Sequence, residues 1–424
     1  MSRTSREIVL SLLERMDKSG AYSNIILDNT LSRQKLDSRD RAFAAALFYG
    51  VLERRMTLDF VIRDYSKIEF DALDTRTRAV LRMGLYQLLY MDSVPDSAAV
   101  YESVSLAEEK STGFVNAVLR NFIRDEKKIN FGRLYDEANL SIKYSCPKWI
   151  IKKWTASYGA QITEKILESS FGRPPLYIKV NQQRTNSEKL IAALKSDEIE
   201  AQRNPLVNDC LEISRLKAEK SLELTNAFRR GLFHVQDVSS QLFCKLVRPQ
   251  FHETIIDVCA APGGKTFTLA QTMSNTGKVI ACDIYDGKLS VLEEGARRLG
   301  LKNVTSVQND GTIYNPDFPT ADRVICDVPC SGLGVIRRKP EIKYKPMSDI
   351  KDLPELQLSI LIISAKYVKP GGSLFYSTCT LNPEENERVA EEFLKKNHDF
   401  APVVIPLEIK EVGDTANRNF YPHL

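Results

Sequence analysis

The sequence predicts a multidomain chain: an all-helical bundle, then a small α+β subdomain, then an α/β domain with a doubly wound parallel sheet. Length is the first reason, because 424 residues exceed the roughly 100–200 residues of one ordinary domain. The second is a change in pattern, from helical spacing up to about residue 125, through mixed texture, to alternating strands and helices after 232. We expect the domains to span residues 1–130, 131–232 and 233–424.

The composition is that of an ordinary folded protein. Hydrophobic residues make up 43% of the chain and charged residues 27%, which excludes wholesale disorder. No apolar run approaches the roughly 18 residues of a membrane span, and the start, Met1–Arg6, leads into an amphipathic pattern instead of a signal peptide. We therefore expect a cytoplasmic protein without a membrane partner.

Charge and cysteine usage narrow the possible partners. The formal net charge is only +4, but residues 141–230 hold 16 Lys and Arg against 10 Asp and Glu. Such a basic segment is typical of a nucleic-acid-binding surface, and an ordinary solvated surface is an equal alternative. The eight cysteines include no C-x-x-C pair, so we expect reduced thiols and no bound metal.

The first predicted domain has the spacing of packed helices. From residue 5 to about 125, apolar residues recur every three or four positions. N-cap candidates precede three of these runs at Asp37, Asp74 and Pro95–Ser97. The pattern favours a packing or docking module and indicates no chemistry of its own.

The second predicted domain mixes both patterns. Lys148–Trp154 is spaced like a helix, and Pro175–Asn181 alternates like a strand. Both tryptophans of the chain, Trp149 and Trp154, lie here among lysines. We favour core anchoring with solvent-reaching lysines over a base-stacking surface.

The third domain repeats a strand, a turn and a helix. Its short apolar strands are Thr254–Val258, Lys278–Cys282, Val304–Val307, Arg323–Cys326 and Ser373–Tyr376. Alternation of this kind predicts a parallel sheet covered by helices on both faces. Ligands of such sheets bind beyond the carboxyl ends of the strands, so we expect the chemistry there.

The first of these strands runs into a turn of small residues, Cys259-Ala260-Ala261-Pro262-Gly263-Gly264-Lys265. A phosphate-binding P-loop would need a glycine five residues before Gly264, where this chain has Cys259. The remaining interpretation is a tight turn that lets a ligand approach the backbone and the helix N–H groups. A purely structural glycine turn is the alternative.

Acidic residues close three successive strands, at Asp257, Asp283 and Asp310. Asp283 follows the glycine turn by about 20 residues, the place where an acid accepts the ribose hydroxyls of a nucleoside cofactor. Asp310 would lie within reach of an adenine amino group. A nucleoside site without a pyrophosphate cradle predicts S-adenosylmethionine.

Two cysteines follow the fourth and fifth strands, Cys330 in a Pro-Cys context and Cys379 in a Thr-Cys context. Carbon 5 of cytosine becomes nucleophilic only after a thiolate has added to carbon 6, a role for which cysteine is suited. Asp327 could stabilise the base as charge develops. The spacing alone does not show which of the two cysteines is the nucleophile. The alternative is that both are small buried residues with a structural role.

A basic loop, Arg337–Lys345, follows Cys330 and carries five Lys and Arg against one Glu, with Tyr344 between them. We expect it to rise beside the catalytic edge and to clamp phosphates of a polynucleotide. The target cytosine would have to be unpaired or flipped out of its stack.

These motifs resemble a known family. Asp257–Thr266, Asp327–Gly332 and Ser377–Asn386 are similar to the motifs of the RNA (cytosine-5)-methyltransferases, also called the Nol1/Nop2/Sun family. The helical start, with Arg39–Phe43 and Gly113–Asn121, resembles the NusB-like RNA-binding domain of the branch that methylates small-subunit ribosomal RNA.

The resemblance implies roles for named residues. The turn Cys259–Lys265, with Asp283, Asp310 and Asp327, would line the site for S-adenosylmethionine and the target base. Cys379 would be the nucleophile, and Cys330 would aid product release. The implied partner is 16S ribosomal RNA, bound by a monomer without metal; a non-catalytic RNA-binding factor and an enzyme acting on transfer RNA are the rival hypotheses.

The chain departs from the family at its end. Members usually continue past the equivalent of Tyr421–Leu424 into a final strand that contains Gly-Phe-Phe, and this sequence stops there. Either the sequence is truncated or its last strand is missing, and we expect an edge of the sheet to be exposed.

Overall fold

The computed structural model describes residues 3–19, 23–34, 36–129, 131, 137–216 and 221–404. Contacts divide the chain into two compact units. Of the described residues, the first unit holds those up to Pro174 together with Val335–Lys345, and the second holds those within Pro175–Gly334 and those from Pro346 to Val404.

The described residues of the first unit are helical. Its helices are α1 Ser5–Ser19, α2 Ser23–Leu31, α3 Ser38–Glu53, α4 Arg55–Tyr65, α5 Thr75–Tyr90, α6 Asp96–Leu106, α7 Thr112–Arg124, α8 Glu137–Lys143, α9 Lys148–Tyr158 and α10 Ala160–Ser169. Asp37 and Asp74 accept hydrogen bonds from backbone N–H groups three residues on, which confirms two predicted N-caps. Leu47, Phe48 and Phe122 are fully buried between these helices. The predicted helical bundle is thus confirmed.

The two tryptophans lie on α9 and are buried to different degrees. Trp154 is fully buried, so the core interpretation is confirmed for it. Trp149 is only partly buried.

Segment Val335–Lys345 belongs to the first unit, and this corrects part of the predicted phosphate clamp. Lys343 is 1% exposed and donates to the Glu53 carbonyl at 2.8 Å. Arg337 donates to the Arg173 carbonyl at 2.9 Å. The prediction is wrong for Lys343, because a buried ammonium cannot reach a phosphate; a count of basic residues does not tell which of them are covered.

A small antiparallel sheet opens the second unit. Its elements are β1 Tyr177–Val180, α11 Ser187–Ser196, β2 Glu200–Arg203, β3 Cys210–Arg215, α12 Asn226–Arg229 and β4 Phe233–Val235. The strand order is β2-β3-β1-β4. Ile178, Leu211 and Phe233 are fully buried in its core. The expected α+β subdomain is confirmed.

The rest of the second unit is a parallel sheet with helices. Its elements are α13 Val238–Val247, β5 Thr254–Asp257, α14 Gly264–Thr272, β6 Lys278–Asp283, α15 Asp286–Leu299, β7 Val304–Gln308, β8 Ala321–Asp327, α16 Leu353–Ala365, β9 Val368–Ser377 and α17 Glu387–Lys396. The strand order is β7-β6-β5-β8-β9, and every pair is parallel. Two apolar clusters use alternate residues of the same strands, such as Ile255 and Ile256. The predicted doubly wound sheet is confirmed.

Strand order places the chemistry. The chain goes from β5 outward to β7 and then returns to β8 on the other side of β5, so the carboxyl ends of β5 and β8 flank a topological switch point. Among the described residues, β9 is an edge strand. Tyr421–Leu424, on which the expectation about a last strand depends, lie outside those residues. No described helix is long and apolar enough to cross a membrane.

Candidate active site

The turn after β5 brings backbone close to the sheet edge. The Ala261–Pro262 bond is cis, and Gly263 has a φ of 108°. A side chain at Gly263 would meet the Phe267 ring at 2.4 Å, so only glycine fits there. Helix α14 begins at the next residue, with its N–H groups directed toward the edge where a ligand would bind.

Asp257 supports this turn from inside. Its side chain is 1% exposed, and the Thr266 hydroxyl donates to its Oδ2 at 2.7 Å. Burial raises the pKa of Asp257 to about 7. The Cys259 backbone also hydrogen-bonds to this carboxyl group. Asp257 therefore holds both the start of the turn and the first residues of α14 from the sheet side.

Asp283 and Asp310 lie at the carboxyl ends of the neighbouring strands β6 and β7. Asp283 is 7% exposed, and its Oδ1 accepts from the Tyr285 N–H at 3.0 Å. Asp310 Oδ1 accepts from the Thr312 hydroxyl at 2.7 Å and its N–H at 2.9 Å. These bonds lower the pKa of Asp310 and keep it ionised. Two oriented carboxylates on one edge fit the hydroxyls and amino group of a nucleoside.

Lys265 connects the turn to the end of β8. Its ammonium lies 2.5 Å from Asp327 Oδ2, and the Ser377 hydroxyl donates to Asp327 Oδ1 at 2.7 Å. Burial alone would lower the pKa of Lys265, but the Asp327 carboxylate raises it overall. Lys265 is therefore charged, and it holds Asp327 in place with the Asp327 side chain 31% exposed.

Cys330 and Cys379 meet at the ends of β8 and β9. Their sulfurs are 2.8 Å apart, and the Cys379 N–H donates to the Cys330 sulfur at 3.1 Å. The hydrogen bond to Cys379, and then burial, raise the pKa of the Cys330 thiol. One of the two thiols donates to the other. Cys379 is the exposed member of the pair, which fits it better for attack on a ligand.

The remaining cysteines have a different environment. Burial raises the pKa to about 12 for Cys146, Cys210, Cys244, Cys282 and Cys326. Burial also raises the pKa of Cys259 in the turn. These thiols are therefore poor nucleophiles.

Sequence reasoning missed three residues of this edge. Ser377 holds Asp327, and Gln357 on α16 donates both to the Pro329 carbonyl and to Glu385. Glu385 itself is fully buried. Glu385 lies in a run of polar residues, Asn382–Asn386, whose only available signal was the family motif.

A parallel sheet of this order, a close backbone turn after β5 and oriented carboxyl groups at the ends of the next two strands define an S-adenosylmethionine-dependent methyltransferase. Three family models match the chain: "16S rRNA methyltransferase RsmB/F" over residues 244–424, "NusB family" over 3–124 and "Methyltr_RsmF/B-like, ferredoxin-like domain" over 146–218.

Individual relatives extend the match to nearly the whole chain. A "Probable ribosomal RNA small subunit methyltransferase B" of Bacillus subtilis is 35% identical, covering 95% of this chain and 91% of the relative. A "Ribosomal RNA small subunit methyltransferase B" of Klebsiella pneumoniae is 31% identical, over 93% and 90%. The crystal structure of NSun6 from Pyrococcus horikoshii with SFG is 25% identical, has a TM-score of 0.58 and covers 65% of this chain and 94% of that one.

The chain belongs to the RsmB/F methyltransferase family, in the form that carries NusB and ferredoxin-like domains. Its cofactor is S-adenosylmethionine.

Proposed function

We propose that this protein methylates carbon 5 of a cytosine in 16S ribosomal RNA through a covalent adduct between cysteine and carbon 6. One observation carries the proposal: two cysteine sulfurs lie 2.8 Å apart at the edge of the sheet where Lys265 holds Asp327. Methylation of an amino group would need no thiol, and still less a pair of them.

The cofactor site comprises the turn Cys259–Lys265, with Asp283, Asp310 and Asp327 around it. S-adenosylmethionine supplies the methyl group when bound. Asp283 would accept the ribose hydroxyls and Asp310 the adenine amino group, since each carboxyl group is already oriented by a backbone N–H. The close turn at Gly263 lets the backbone contact the rest of the cofactor.

Cys379 begins the reaction. Its thiolate adds to carbon 6 of the cytosine, and the electron pair of the carbon 5–carbon 6 double bond moves into the ring, where Asp327 orients the base. The resulting enamine carbon 5 displaces S-adenosylhomocysteine and takes the methyl group. Lys265 keeps Asp327 in place throughout, because their charges are paired within the edge.

Cys330 completes the cycle. Once Cys379 is bonded to carbon 6, Cys330 no longer has a thiolate partner and gives its proton to water. Its thiolate then accepts the proton from carbon 5. The electrons of that C–H bond restore the double bond, the bond between carbon 6 and sulfur breaks, and Cys379 leaves as a thiolate. The net products are methylated cytosine, S-adenosylhomocysteine and one proton.

The substrate assignment rests on domains and relatives. The described relatives carry small-subunit ribosomal RNA in their names, and a NusB match covers residues 3–124. We propose three domains, 1–130, 131–232 and 233–424, the first binding RNA and the last acting on an unpaired or flipped cytosine. Catalytic turnover is favoured over a purely binding role because the two thiols and Asp327 are all in place.

The decisive experiment incubates purified protein with unmodified 16S RNA and tritiated S-adenosylmethionine and then maps the label. We expect label on carbon 5 of one or a few cytosines. Cys379→Ala should abolish transfer, and Cys330→Ala should accumulate a covalent protein–RNA adduct. Cys146→Ala, a buried cysteine of the first unit, is the matched control.

Three results would contradict the proposal. If transfer RNA offered in a parallel reaction were labelled and 16S RNA were not, the substrate would be transfer RNA. Binding of cofactor and RNA without any label would leave an RNA-binding factor. An adduct trapped by Cys379→Ala instead of Cys330→Ala would reverse the two roles.

A further inference from the structure

Glu385, eight residues after the end of β9, has a buried carboxylate that accepts four hydrogen bonds. Its exposure is 0%. Ser331 N–H at 2.8 Å and Gln357 Nε2 at 3.0 Å donate to Oε2. The Ser331 hydroxyl at 2.5 Å and Asn382 Nδ2 at 2.8 Å donate to Oε1. Each oxygen therefore has two donors, the full capacity of a carboxylate.

Neutral groups supply all four of these hydrogen bonds. Among the described residues, no Lys or Arg forms an ion pair with Glu385. An ionised group in the interior is costly unless hydrogen bonds replace its water, and four converging donors do so. An amide at this position would place an NH2 group against at least one of these donors, so the arrangement requires an acceptor-only side chain.

The donors lie beside both cysteines. Ser331 directly follows Cys330, and the Ser331 hydroxyl also lies 2.7 Å from the Thr380 hydroxyl, directly after Cys379. Gln357, held by Glu385, donates to the Pro329 carbonyl on the other side of Cys330 at 2.9 Å.

Cys330 is therefore fixed from both flanks through one carboxylate. The Cys379 loop has an additional attachment, since its carbonyl accepts from the Gly334 N–H at 3.0 Å. A side chain at Gly334 would meet that carbonyl at 2.9 Å. Glu385 thus constrains the Cys330 side of the pair more than the Cys379 side.

We propose that Glu385 is a positioning residue that holds Cys330 against Cys379 and thereby sets the rate at which the covalent adduct is resolved. This inference rests on the proposed function. Glu385 contacts neither substrate nor the reacting atoms; it acts through Ser331 and Gln357. A displacement of the order of 1 Å at a reacting group costs roughly 100-fold in rate, so loosening this network should delay proton removal from carbon 5.

The test is Glu385→Gln in the full chain, with single-turnover kinetics on 16S RNA and denaturing gels that count covalent protein–RNA adduct. We expect adduct formation within about 3-fold of the wild-type rate and adduct decay roughly 10- to 100-fold slower. The decay rate is measured per adduct molecule, so a fall in the amount of folded protein would reduce the amplitude and leave the decay rate unchanged. Cofactor binding, measured by calorimetry, should be unaltered.

Two further variants complete the design. Glu392→Gln, an exposed acid of α17 paired with Lys395, should behave as wild type. Ser331→Ala removes the hydroxyl donor and keeps the backbone N–H donor. We expect adduct decay to be slowed in this variant too, but less than in Glu385→Gln. It replaces Glu385→Gln as the test if that variant does not fold.

Unchanged adduct decay in both Glu385→Gln and Ser331→Ala, or formation and decay slowed equally, would overturn the inference. The proposed function fails separately: if Cys330→Ala forms no adduct and wild type transfers no methyl group, the chemistry itself is wrong.

Discussion

Lys265 of the second unit is largely covered and Lys343 of the first unit is fully buried, and the two lysines are stabilised in opposite ways. Lys265 in the second unit is paired with Asp327 at 2.5 Å, and its pKa is raised. Lys343 in the first unit has the Glu53 carbonyl as its acceptor, and burial lowers its pKa to about 8. Lys265 holds a carboxyl group of the proposed active site in place, so its charge serves the chemistry. Lys343 has no carboxylate partner among the described ion pairs, and its side chain serves packing.

The largest expected effect comes from removing the paired lysine. Lys265→Met leaves Asp327 with the Ser377 hydroxyl alone, so the carboxyl group can rotate away from its position at the end of β8. We expect methyl transfer to fall by roughly 100- to 1000-fold, the usual cost of losing one electrostatic contact in an active site. Tritium transfer under saturating cofactor measures it.

Lys343→Met is the matched comparison for that variant. It should leave transfer within about 2-fold of wild type, since a solvent-shielded lysine of the first unit contacts no reacting group. Equal losses in Lys265→Met and Lys343→Met would show that both lysines act through folding, and the distinction between them would be lost.

The second effect is on stability and depends on pH. The folded pKa of Lys343 is about 8, below its ordinary value of 10.5. Between these two values the unfolded chain binds the proton and the folded chain does not, so the free energy of unfolding rises with pH in that window. Below pH 8 both states are protonated, and the buried charge costs about 3 kcal/mol.

Lys343→Met removes this cost and one hydrogen bond worth about 1 kcal/mol. We therefore expect it to stabilise the protein by about 2 kcal/mol at pH 7, with the gain disappearing by pH 10.5. Denaturant titrations of wild type and variant across this range measure the difference. Lys152→Met, at an exposed position of α9, should show no such pH dependence; a difference between Lys343→Met and wild type that stays constant with pH would contradict the assignment.

Much of the second unit could be predicted because its pattern is local. Five apolar strands and the acids that end them, Asp283 and Asp310, follow from alternation and from the rule that ligands bind at carboxyl ends. The two cysteines were predictable as a pair, but their roles were not, since these depend on a 2.8 Å contact between sulfurs that follow different strands.

The failures have a common cause. Lys343 was predicted to clamp phosphate, and Glu385 was not singled out at all, because composition treats charged residues as exposed. Whether such a residue is buried depends on partners far away in sequence: Glu53 is 290 residues from Lys343, and Ser331 is 54 from Glu385. Patterns of neighbouring residues carry no information about such contacts.

The smallest effect concerns a third charge, Glu341, in the same segment as Lys343. Its carboxylate accepts from the Ser23 N–H at 3.0 Å and the Ser23 hydroxyl at 2.7 Å, at the first residue of α2. An anion at a helix N-terminus contributes about 0.3–1 kcal/mol. Glu341→Gln keeps an acceptor and loses the charge, so denaturant titration should show a loss within that range, and methyl transfer should not change.

Glu341→Ala provides the control for that prediction, because it removes the acceptor as well as the charge. It should cost more than Glu341→Gln, by up to the 1–3 kcal/mol of an unsatisfied buried donor. Salt separates the two contributions: the charge term declines as ionic strength rises, and the hydrogen-bond term does not. If both variants lost the same stability at every salt concentration, the charge of Glu341 would contribute nothing to the helix. The difference between a charge paired with a carboxylate and a charge bonded to backbone groups would then be seen only between Lys265 and Lys343.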